Sequence, residues 1–66
     1  MSIAKVIEVL AEGDSVEAAV EAAVAEASKT VKNIRSAYVN DIQAIVRDNT
    51  VDKYRVNVNL TFVIED

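Results

Sequence analysis

The side chains in this chain best suited to chemistry are few and polar. Arg55 carries a planar fork of donors that can hold a carboxylate, a phosphate or the edge of a flat heteroaromatic ring. Tyr38 could stack on a planar ligand or on a symmetry mate of itself, and Ser36 shares its parity two residues earlier. Asn57 and Asn59 share the parity of Arg55. Contacts between copies of the chain account for Tyr38 and Arg55 more simply than a ligand does. Catalysis has little to draw on: with no Cys and no His, the usual nucleophile and base pairs are missing, and a lone Gly13 cannot build a phosphate-cradling loop. No enzyme is expected.

Metal chemistry would have to come from oxygen ligands, because the common zinc sites need Cys or His. Glu8, Glu12, Asp41, Asp48 and Asp52 are candidates by charge alone, and they could converge only where several copies meet. Nothing resembles a calcium loop with its spaced acids and central glycine. Solvated surface accounts for each of these carboxylates more simply, and the metal ligands, if any, are not identified by the sequence. Glu12 and Asp14 form a pair of carboxylates, but Asp14 is better explained as a helix cap.

The element that must position these groups is a strand over residues 53–65. Tyr54, Val56, Val58, Leu60, Phe62 and Ile64 alternate there with Arg55, Asn57, Asn59, Thr61, Val63 and Glu65. Side chains of a strand alternate between faces, whereas a helix repeats every 3.6 residues, so this pattern reads as one strand with a covered apolar face and a wet polar one. A first strand is expected over residues 3–11, ended by Gly13 and Asp14. Val6 and Leu10 lie on one side of it and Ile3, Ile7 and Val9 on the other, which hints at an interface on the side away from the helix. A helix is expected over residues 14–32, with Asp14 as N-cap and Glu17 three residues on. Its inner stripe is Val16, Ala19, Val20, Ala23, Ala27, Thr30 and Val31, with Lys29 and Lys32 near its end and Asn33 as its C-terminal cap.

The second strand is expected over residues 34–47, joined to the third by a polar turn over residues 48–52. Its alternation slips: Ala37 and Val39 share one parity, Ile42, Ala44 and Val46 the other. A continuous apolar face then needs a bulge near Asn40 and Asp41, unless the strand leaves its sheet there. A helical crossover sets strands one and two parallel, with a right-handed connection expected, and the short turn sets strand three antiparallel to strand two. The fold class that follows is α+β, β-α-β-β, with three strands ordered 1-3-2 and one helix on one face. The other face stays uncovered in a single chain.

Sixty-six residues allow one domain, 1–66, and a core this small rarely supplies more than about 3–5 kcal/mol without reinforcement. Disulfides are excluded, the helix stripe is mostly alanine, and 52 % of the residues are apolar, so association of like chains is the expected remedy. A net charge of −4 argues against non-specific binding of nucleic acid. No window approaches the twenty or so apolar residues that span a membrane. With no signal peptide read at the N-terminus, a cytoplasmic protein is expected.

The order of elements and several local strings resemble the dodecin family, small flavin-binding proteins that assemble into hollow dodecameric shells. The likeness spans nearly the whole chain: Lys5-Val6-Ile7-Glu8-Val9, Gly13-Asp14-Ser15, Ala18-Ala19 followed by Ala23, Thr30-Val31, Asn33-Ile34, Tyr54, and the closing Phe62 to Asp66. The resemblance implies a sheet curled around the helix and flavins stacked in pairs across two-fold axes. In flavin-binding dodecins a tryptophan early in strand two stacks on the ring, and a glutamine early in strand three bonds to its edge. The matching positions here are Ser36 and Arg55, so neither role transfers, and the chain has no tryptophan at all. Ile34-Arg35, Ala37 and Tyr54-Arg55 point to the branch that keeps the shell without the flavin sandwich.

Each aromatic stack on a ring is worth about 1–3 kcal/mol, and a sandwich uses it twice, so flavin affinity is expected to fall steeply. The expectation is a non-enzymatic, homo-oligomeric, dodecameric shell that binds or stores a small ligand, with Ser36, Tyr38 and Arg55 at an altered two-fold cleft. Riboflavin or FMN held weakly, and calcium or another cation held by carboxylates, are the ligands to weigh. A working flavin store in which Tyr38 takes over part of the stacking is the alternative. A structural module whose oligomer is its whole function is a third.

Overall fold

The computed structural model describes residues 3–64 of the chain. Its elements are β1 (Ile3–Gly13), α1 (Val16–Ala27), β2 (Ile34–Arg47) and β3 (Thr50–Ile64). β3 lies between β1 and β2 and runs antiparallel to both, giving the order β1-β3-β2. This is the expected β-α-β-β arrangement. Glu65, the expected last residue of β3, lies outside the described residues.

The apolar row of β3 behaves as its alternation predicts. Val56, Val58 and Leu60 are fully buried, and they meet Ala19 and Ala23 of α1, which are also buried. Ala11, Val9 and Ile7 stand opposite those three on β1, and Ala37 and Val39 stand opposite Leu60 and Val58 on β2. All five pack against the same core. Alanine at the two central helix positions lets α1 lie close on the sheet, at the cost of apolar volume.

The helix is shorter than its periodicity suggests. Ser15, not Asp14, is the N-cap: its Oγ accepts from the Ala18 N–H at 3.0 Å, and its carbonyl accepts the first helical bond from Ala19. At the other end the helix stops at Ala27 with Ser28 as C-cap, not at Lys32 with Asn33. The Ser28 hydroxyl donates to the Ala25 carbonyl at 2.8 Å, and the Thr30 N–H bonds the Ala27 carbonyl, three residues back. Serine competes for backbone groups and Thr30-Val31 is a β-branched pair, so propagation fails there. Thr30 is exposed and Lys29 and Lys32 lie beyond the last turn, which holds no basic residue. Asn33 instead makes the left-handed corner into β2 at φ 63°, with its carbonyl accepting from the Val63 N–H at 3.1 Å.

β2 has the expected bounds, 34–47, whereas β1 runs on past its expected end and β3 starts before its expected beginning. β1 continues through Gly13, where a Cβ would sit 2.7 Å from the Ala19 backbone nitrogen, so the glycine is what lets the strand pass under the helix start. The β2–β3 turn is two residues, Asp48 and Asn49, not the five of 48–52, and β3 begins at Thr50 rather than Lys53. Both turn residues have positive φ, 53° and 62°, the geometry that matches the twist of a two-residue hairpin.

The slipped alternation of β2 is resolved by a bulge. Val39 faces Val58 and Asp41 faces Asn57, so Asn40 is the extra residue, and Ile42 and Ala44 return to the helix side opposite Val56 and Tyr54. The helix does not reach them. A twelve-residue helix is about 18 Å long, whereas the molecule extends 51 Å. Ile42, Val46 and Val51 on the projecting hairpin are therefore 58, 61 and 48 % exposed. No helix among the described residues is long and apolar enough to cross a membrane.

Candidate functional site

The face of the sheet away from α1 carries the polar residues. On β3 they are Lys53, Arg55, Asn57, Asn59 and Thr61, the last four each between two buried or half-buried residues of the apolar row. The register sets Glu12 directly opposite Arg55, Glu8 opposite Asn59, and Leu10 opposite Asn57 on the β1 side. On the β2 side Gln43 is opposite Arg55, Asp41 opposite Asn57, and Tyr38 opposite Asn59.

Two hydrogen-bonded groups result. Arg55 donates from Nε and Nη2 to Oε2 of Glu12, at 2.9 and 2.8 Å, while Lys53 Nζ lies 2.9 Å from Glu12 Oε1. One carboxylate thus serves two cations. Hydrogen bonds from Lys53 first, then Arg55, hold the Glu12 carboxyl below the usual carboxylate range. In the second group Asn40, the bulge residue, donates to Asn57 Oδ1 at 3.2 Å, and Asn57 donates to Glu8 Oε2 at 3.0 Å. The bulge thereby aims a side chain into the polar face, the use such irregularities often have beside binding sites. Leu10, Asp41, Gln43, Arg55 and Asn57 line a hollow of about 330 Å³ between these groups.

The sequence-derived positions share this face but not one place on it. Ser36 is opposite Thr61, and Thr61 is six residues from Arg55 along β3, or about 20 Å. Tyr38, opposite Asn59, is about 13 Å from Arg55 by the same count and is 70 % exposed. One chain does not bring Ser36 and Arg55 together; a shared cleft requires a second copy. Among the described residues no three carboxylates gather where they could hold a metal ion. Glu8 and Glu12 are engaged with Asn57 and the two cations, and Asp52 stands 4.0 Å from Arg47 Nε.

Sequence reasoning missed Gln43 and the partnership of Glu12 with Arg55, and it named Asn40 only as the place of a bulge, not as a partner of Asn57. The signal was present in the adjacent Asp48-Asn49, a pair that tolerates positive φ. Reading it as a two-residue turn fixes Arg47 opposite Thr50, and counting back, with an extra residue in β3 before Lys53, sets Gln43 opposite Arg55.

A three-stranded antiparallel sheet with one helix over part of one face, and the other face bare, defines a small β-α-β-β protein. The chain belongs to the dodecin family, whose model matches residues 3–65. Dodecins are small flavin-binding proteins that form homo-oligomeric shells. Among solved structures, dodecin from Streptomyces coelicolor is 29 % identical with a TM-score of 0.91, covering 98 % of this chain and 94 % of that one. A tryptophan-to-phenylalanine mutant of the Thermus thermophilus dodecin is 27 % identical with a TM-score of 0.92, covering all of both chains. Dodecin from Streptomyces davaonensis, at 17 % identity and a TM-score of 0.91, shows the fold alone. None of the curated proteins compared with the chain matches it.

Proposed function

We propose that this chain is the subunit of a dodecin-type homo-oligomeric shell, a dodecamer, which is not an enzyme and binds or stores a small ligand with its affinity for flavin lowered. The observation that carries the reading is Ser36. It is exposed on the bare face of β2, opposite Thr61, where the resemblance to flavin-binding dodecins calls for a stacking tryptophan. A hydroxymethyl group offers no ring face, and two lost stacks per sandwich, at about 1–3 kcal/mol each, remove most of the grip on an isoalloxazine ring. Tyr38, on the same face and exposed, is the one aromatic residue of β2 able to replace part of it. Cation binding has less support, because among the described residues no three acidic side chains gather and Glu8 and Glu12 are already engaged.

Assembly is supported by the bare surfaces: Val6, Leu10 and Tyr38 on one face, Ile42, Val46 and Val51 on the other, with a buried core of five side chains among the described residues. Titration of the purified protein with riboflavin, followed by flavin fluorescence, tests the ligand reading. Weak quenching in the wild type and a gain of at least about tenfold in Ser36→Trp are expected. Tight stoichiometric quenching by the wild type would show that another group does the stacking.

A further inference from the structure

We draw no further inference here: the strongest candidate, the hollow of about 300 Å³ between the corner after α1 and the end of β3, carries nothing, because its one charged lining group is the exposed Lys32 and no buried polar side chain among the described residues points to a ligand there.

Discussion

Glu12 and Arg55 face each other across β1 and β3, and the guanidinium gives both Nε and Nη2 to the same carboxylate oxygen. The pair is about one-third to one-half exposed, so water screens it and its worth lies more in position than in stability. It ties the edge strand to the central strand at the end where α1 begins.

The Glu12 carboxyl is held below its ordinary range, so its contribution is present above the unfolded pKa and disappears as pH falls through the lowered folded value. Glu12→Gln should therefore be less stable than the wild type at pH 7, with the difference closing in acid below the usual carboxylate range. Denaturant midpoints of both proteins across pH 2–8 check this. A gap that widens in acid contradicts the ion triad.

Leu60 is the largest side chain with no exposed surface, packed between Ile7 and Ala37 and under α1. Leu60→Ala should cost about 2–5 kcal/mol, measured by denaturant unfolding of the assembled protein. Gly13→Ala is expected to cost about 1–3 kcal/mol although it adds a single methyl, because the atoms it meets are backbone at the helix start and cannot rotate away.

Asn49 sits at φ 62° as the second residue of the hairpin turn. Asn49→Val should destabilise by about 1–2 kcal/mol, while Asn49→Gly, which accepts that geometry freely, should be neutral or slightly stabilising. Thermal denaturation of the two variants separates backbone strain from loss of the side chain.

The projecting hairpin shows Ile42, Val46 and Val51 on the side that α1 does not reach. In a shell these residues meet other copies. Light scattering should give a mass many times 7.2 kDa for the wild type, and Ile42→Glu with Val46→Glu should shift it toward the single chain. A wild-type monomer would refute the assembly.

The strand order was readable from the sequence because it depends on two local matters: the period of the apolar residues and the length of each connection. Val56, Val58 and Leu60 alternate with Arg55, Asn57 and Asn59, and no other conformation sorts them so. Parity called either for a bulge near Asn40 and Asp41 or for a strand that leaves its sheet there, and the register shift between Val39 and Asp41 shows the bulge. Element ends were less legible. Asp14 and Ser15 are both good caps, and the choice fell to Ser15 because Gly13 must first carry β1 beneath Ala19.

The site needed the tertiary structure. Composition and alternation placed Ser36, Tyr38 and Arg55 on one face, but their spacing along the sheet, and the neighbours each one meets, depend on register between strands far apart in sequence. Glu12 and Arg55 are joined through pairing of β1 with β3, and Gln43 reaches the same hollow through a hairpin whose register there is set by a two-residue turn and the shift between Ile45 and Val46. A shift of one residue anywhere in that chain of pairings would turn Gln43 to the other face. Which residues point outward was thus written in the sequence; which of them meet was decided by register.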